Sequence, residues 1–175
     1  MRRNSVINAL ITAVIATAVC VLDQVTKMAI AGNFQLEESR AVIPGVLNFT
    51  YIRNKGMAMG LLANHRWVFM VLSVAMIAAI ILFVIFSKTV TRPTVAVLAM
   101  ILGGGIGNMI DRFAYGYVID FIDVCFAPSI WKWIFNVADA FVTVSAVILA
   151  VMYIRYEVKK SKERKSGEKP KNNDI

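Results

Sequence analysis

Apolar residues gather into four long blocks, Val6–Leu22, Val68–Phe86, Val95–Ile110 and Ile134–Ile154, separated by polar stretches of unequal length. The second block is the clearest, with 19 residues and no charge. As a helix it would run about 28 Å, close to the thickness of a bilayer's hydrocarbon core. The first and third blocks are shorter, so their ends draw on flanking polar residues. The pattern predicts a mainly α integral membrane protein with four transmembrane helices. Between the first two blocks, Val46–Ile52 is rich in strand formers and follows Pro44-Gly45. It predicts a small β-structure lying on the outer membrane surface.

Composition agrees: 58% of the 175 residues are hydrophobic, with a mean hydropathy of +0.66, well outside the range of a soluble domain. The net charge of +8 divides unevenly, because Arg155 onward holds eight Lys/Arg and four Asp/Glu, or +4. Two regions are expected: a membrane domain at 1–154 and a basic, disordered cytoplasmic tail at 155–175. Nucleic-acid binding is not expected of this tail; a topology signal is. Arg2, Arg3, Lys88 and Arg92 point the same way, placing both termini and the second connection inside. The longer connections, about 32–66 and 112–133, then face outside. Trp67, Trp131 and Trp133 fall at the ends of apolar blocks, as interfacial anchors do.

The N-terminus admits two other readings. Arg2-Arg3, an apolar run and Ala16-x-Ala18 imitate a cleavable secretory signal, and Cys20 after an apolar run imitates a lipoprotein signal. Thr17-Ala18-Val19 fits the latter poorly, and a retained first helix is expected. Cys20 and Cys125 have no motif spacing and are expected to be unlinked. With a single histidine, His65, in a loop, neither a metal site nor any cofactor is called for.

The acidic residues carry the candidate chemistry. Outside the tail there are seven. Glu37 and Glu38 sit in the outer loop, while Asp23, Asp111, Asp120, Asp123 and Asp139 all border or enter apolar segments near one predicted membrane depth. Ionisable residues in such sequence are costly and functional by default, and the clustering predicts a single site. Asp23 and Lys27 are four apart and share a helix face; an exposed interfacial ion pair is the alternative. Asn108 and Asp111, and Asn136 and Asp139, are each three apart. Asp139 is expected about five residues inside helix four, some 7–8 Å below its outer end. Gly103-x-x-x-Gly107 is expected to let helix three pack closely rather than to cradle a phosphate.

In order, Asp23-Gln24-Val25-Thr26-Lys27, Asn54-x-Gly56-x-Ala58, Gly107-Asn108-x-x-Asp111-Arg112, Val118-Ile119-Asp120-Phe121 and Phe135-Asn136-x-Ala138-Asp139 resemble the lipoprotein signal peptidases, or signal peptidase II. The resemblance covers about Leu22 to Ser145. Met59 departs from it, standing where many members carry an aromatic residue. It implies a bacterial intramembrane aspartic endopeptidase of the cytoplasmic (inner) membrane, with its active site near the outer face. The implied substrates are diacylglyceryl-modified prolipoproteins, cut just before the lipidated cysteine. By motif position it implies Asp120 and Asp139 as the catalytic pair. Asp23, Lys27, Asn54, Asn108, Arg112 and Asn136 fall at polar positions that bind substrate or support the site. Asp111 matches a motif aspartate outside the pair, and Asp123 matches none. Partners beyond prolipoprotein and membrane lipid are not expected, and neither is oligomerisation.

Two rival functions remain at this point. A proton-coupled carrier would use membrane carboxylates, but at the midplane and within repeated halves. A non-enzymatic membrane scaffold would use the aspartates as packing charges.

Overall fold

The computed structural model describes residues 2–56, 66–87, 89–126 and 133–166. The expectations for Ala58, Met59, His65, Lys88, Trp131 and the tail beyond Ser166 lie outside these residues. The element order is α1 (Arg2–Asn33), β1 (Ser39–Ile43), β2 (Leu47–Asn54), α2 (Arg66–Phe86), α3 (Arg92–Ala114), β3 (Val118–Val124), β4 (Ile134–Phe135) and α4 (Val137–Ser166). Among the described residues α1, α3 and α4 are each long and apolar enough to cross a membrane, and α2 adds the apolar run Met70–Phe86. Val14, Val21, Val71 and Val147 lie exposed on the outward faces of α1, α2 and α4, the arrangement that lipid contact favours.

α3 is the central helix. Thr91 caps its start by accepting the Thr94 N–H, and Pro93 stands in the first turn, where a missing N–H costs nothing. The helix ends at Ala114, and Gly116 then takes a left-handed φ of 79°. The glycines of α3 bring its neighbours close. A Cβ on Gly103 would lie 2.6 Å from the Ala16 carbonyl oxygen, and one on Gly104 would lie 2.7 Å from that of Ala138. Bulk is therefore excluded on both the α1 and the α4 side, as the small-residue pattern predicts. Ala16, Ile80, Val84, Val95, Ile101 and Leu102 form the core where α1, α2 and α3 meet.

The four strands make one antiparallel sheet in the order β1-β2-β3-β4. The β1–β2 hairpin turns through Gly45 at φ 72°. The β2–β3 pairing sets Asn54 opposite Val118 and Ile52 opposite Asp120, so Asn54 and Asp120, 66 positions apart in sequence, meet. Ile30, Tyr51, Ile119 and Phe121 pack the sheet onto the end of α1.

Two boundaries differ from the sequence expectation; the end of α1 at Asn33 does not, since the outer connection is expected from about 32. Ile134 and Phe135, expected in helix four, instead pair with Asp123 and Ile122 of β3. Asp139 is consequently in the first turn of α4 rather than five residues inside it. Lastly, α4 continues to Ser166, so the first twelve residues of the tail expected to be disordered are helical; its Glu, Lys and Arg are good helix formers. Both cysteines are free.

Candidate active site

α1 contributes Asp23 and Lys27 from one face, and both side chains are only 0% and 1% exposed. The exposed interfacial pair is therefore ruled out. Close approach of α3 is needed here: a Cβ on Gly107 would lie 2.5 Å from Asp23 Oδ2. The Lys27 ammonium donates to Asp23 Oδ2 at 2.8 Å, Asp111 Oδ2 at 3.0 Å and Asn108 Oδ1 at 2.9 Å. Its three protons thus have three acceptors, which is what a buried ammonium requires.

Lys27 also fixes Asn108. An ammonium only donates, so the Asn108 oxygen must face it. The amide nitrogen is thereby turned toward Asp139, donating to Oδ1 at 2.7 Å. Arg112, one turn further along α3, donates to the Asn108 carbonyl oxygen at 3.3 Å. Its charge acts on Asp139, Asp120 and Asp111.

Asn136 and Asp139 close the start of α4 as a reciprocal cap. Asn136 Oδ1 accepts the Asp139 N–H at 2.9 Å, while Asp139 Oδ2 accepts the Asn136 N–H at 3.3 Å. The Asn136 amide nitrogen, 0% exposed as a residue, then donates to Asp120 Oδ1 at 2.6 Å. It also lies 3.0 Å from Asn108 Oδ1 and 3.3 Å from the Ile119 carbonyl oxygen. Asn54 donates to the other oxygen of Asp120 at 2.8 Å. One residue, Asn136, thus hydrogen-bonds both carboxylates, one through its side chain and one through its backbone.

Burial and the neighbouring Asp139 carboxylate push Asp120 from the usual carboxylate range up to about 7, against the pull of the Asn54 and Asn136 amides. A carboxyl group in that range can hold or release a proton near neutrality, which is what acid/base chemistry needs.

All eight residues singled out by motif position meet in this network: Asp120, Asp139, Asp23, Lys27, Asn54, Asn108, Arg112 and Asn136. Asp111 joins them. Asp123 does not, contrary to the expectation of a single site for five aspartates. It accepts from the Thr50 hydroxyl at 2.8 Å instead. Asp120 and Asp123 are three apart in a strand, so they face opposite ways. Gln24 was missed. Its amide reaches Asp111 Oδ1 at 2.9 Å and the Gly107 carbonyl oxygen at 3.1 Å. It lies three positions before Lys27, a spacing that shares a helix face, and that spacing or its place inside the first motif could have flagged it.

Residues 15–155 match the family model described as signal peptidase (SPase) II. The chain belongs to that family. It is 41% identical over 151 residues to a lipoprotein signal peptidase of Syntrophus aciditrophicus, covering 83% of this chain and 93% of that one. A lipoprotein signal peptidase of Caldanaerobacter subterraneus subsp. tengcongensis is 40% identical, over 81% and 94% of the two chains. A solved bacterial membrane enzyme superposes with a TM-score of 0.77 at 30% identity, over 91% of this chain and 94% of the other. The protein is therefore a bacterial membrane protease of the signal peptidase II type, acting in lipoprotein processing. The carrier and scaffold readings fall away.

Proposed function

We propose that this signal peptidase II acts as an intramembrane aspartic endopeptidase, with Asp120 and Asp139 as its acid/base pair. Its substrates are prolipoproteins whose cysteine already carries a diacylglyceryl group, and the bond cut is the one just before that cysteine. The observation that carries the reading is the convergence of Asn136 on both carboxylates. It supports two acids tied to one residue, as joint acid/base work on one peptide carbonyl requires.

In this mechanism the pair shares one proton and binds a water between its carboxyls. The ionised partner removes a proton as the water oxygen attacks the scissile carbonyl carbon. The protonated partner donates to the developing oxyanion. Collapse of the tetrahedral intermediate breaks the C–N bond, and the proton taken from water passes to the departing cysteine nitrogen. The products are a signal peptide with a new carboxyl group and a lipoprotein with a free amino-terminal cysteine. The elevated Asp120 suits it to the protonated role, and Asp139 suits the ionised one, sitting where the N-terminal dipole of α4 favours an anion. Asn108 and Asn136 hold the carboxyls; Asn54 and Arg112 extend the polar rim toward the substrate backbone.

Depth fits the same substrate. With both termini in the cytoplasm, the sheet and the aspartates lie at the outer membrane face, where a signal helix ends. The lipid of the modified cysteine stays in the bilayer while the peptide reaches the pair.

The test uses the purified protein in detergent with a diacylglyceryl-modified prolipoprotein, followed by the size shift on cleavage. Wild type is expected to cut the lipidated substrate and not its unlipidated counterpart. Asp120→Asn and Asp139→Asn are each expected to be inactive. Persistent cleavage by either variant removes that residue from the mechanism.

A further inference from the structure

The backbone amides just before the two aspartates are both held by other aspartates. Asp23 Oδ1, on α1, accepts the N–H of Ala138 at 2.9 Å, the residue before Asp139. Asp111 Oδ2, on α3, accepts the N–H of Ile119 at 3.0 Å, the residue before Asp120. Both holding carboxylates converge on one ammonium, Lys27, at 2.8 and 3.0 Å. Gln24 braces them from the side, with its amide 2.9 Å from Asp111 and 3.3 Å from Asp23.

From these contacts, and resting on the reading of Asp120 and Asp139 as the acid/base pair, we infer that Asp23, Lys27 and Asp111 form a positioning clamp. It sets the separation of the two carboxyls through the backbones of Ala138 and Ile119. The need for such a device follows from the fold. Asp120 is on a strand and Asp139 on the first turn of a helix, and among the described residues the sheet is tied to that turn by the two-residue strand β4 and the Asn136 side chain. A reacting pair must be held within about 0.5 Å of its working geometry. The clamp residues are 0 to 1% exposed, so no water competes for their hydrogen bonds and each bond sets a distance firmly.

The plainer account is that these groups merely satisfy one another's buried charge. The two accounts part at the pH dependence of turnover. Two carboxyls held close repel, which spreads their apparent pKa values and broadens the bell-shaped rate profile. Loosening the clamp lets them separate, so the bell narrows from both sides. Changing a nearby charge alone, with spacing intact, slides the whole bell sideways. Besides the clamp itself, Arg112 is the charged side chain acting on the pair, and it stays in place throughout.

The experiment compares wild type with Asp23→Asn, Asp111→Asn and Gln24→Met, measuring single-turnover cleavage of lipidated prolipoprotein per folded molecule across pH. The Asn variants keep one acceptor oxygen. Gln24→Met removes the brace without touching any charge, so it reports if an Asn variant fails to fold. Expected are a fall in turnover of about 10- to 100-fold for the Asn variants, as small misplacements produce, little change in KM, and a narrower bell in all three. Turnover and bell width equal to wild type in the folded variants would overturn the clamp. Asp120→Asn and Asp139→Asn, run alongside, separate the failures. If either still cleaves, the pair itself is wrong and the clamp falls with it; if both are dead while the clamp variants match wild type, only the clamp is wrong.

Discussion

Asp139 and Asn136 hold each other's backbone amides across the first turn of α4, at 3.3 and 2.9 Å. A proposed reacting group is therefore also half of a helix cap, and its partner in the cap is the residue that donates to Asp120. Structure and chemistry are joined at one turn, which lets substitutions separate them.

Asn136→Ala removes the capping oxygen and the amide that donates to Asp120, and keeps only the backbone N–H to Asp139. A lost cap costs about 1 kcal/mol, and the expected activity loss is larger, about 100-fold, because Asp120 loses a guide and the turn that carries Asp139 loses its cap. Asn136→Ser keeps a capping oxygen but has no amide to reach Asp120. It is expected to unfold nearer the wild-type temperature than Asn136→Ala and still to lose most activity. Thermal unfolding in detergent beside turnover separates the two effects; a fully active Asn136→Ser protein would sink the argument.

In the proposed mechanism the elevated Asp120 sets the alkaline limit of the reaction. Its carboxyl is protonated below about 7 and loses its proton above it, so a mechanism needing that proton slows as pH rises through this value. The sign is that of an acid required in its protonated form. The rate of cleavage as a function of pH should therefore decline through neutrality on its alkaline side. A flat profile from pH 6 to 9, on the order of three units spanning the transition, would show that Asp120 is not the proton holder.

The glycines of α3 make a graded test of how closely the helices must approach. At Gly104 a Cβ would strike the Ala138 backbone at 2.7 Å, beside Asp139, whereas at Gly105 it would meet the Met76 methyl end at 3.3 Å and Ile77 Cγ1 at an ordinary 3.9 Å. Gly104→Ala is expected to destabilise by about 1–3 kcal/mol and to cut turnover by pushing Asp139 from Asn108. Gly105→Ala should be near neutral in both, because a flexible methionine gives way. Equal behaviour of the two variants in unfolding and cleavage assays would refute the packing account.

The helices and β2 were legible because their signals are local: apolar runs for the first, β-branched and aromatic residues after Pro44-Gly45 for the second. The site was legible mainly through its motifs. Spacing alone paired Asp23 with Lys27 and Asn136 with Asp139, but it could not show that Lys27 reaches Asn108 and Asp111 on another helix. Ile134 and Phe135 were misread because a short apolar run looks alike in a strand and a helix. Only pairing with β3, a tertiary contact, decides it.

Asp123 supplies the contrast that the site residues need. It is as acidic as Asp120 and lies on the same strand, yet its carboxylate accepts from Thr50, which in turn meets Ser39 at 2.8 Å. These are hydroxyl contacts within the sheet, away from Asn136 and Asn108. Asp123→Asn keeps an acceptor for Thr50 and removes only a charge. It is expected to fold normally and to cleave lipidated substrate within about twofold of wild type, as substitutions away from a working site do. If depth in the membrane alone defined the site, this variant would be as damaging as Asp120→Asn. A turnover assay on the two proteins side by side decides whether it is the network around Asn136, and not a shared depth, that makes an aspartate matter here.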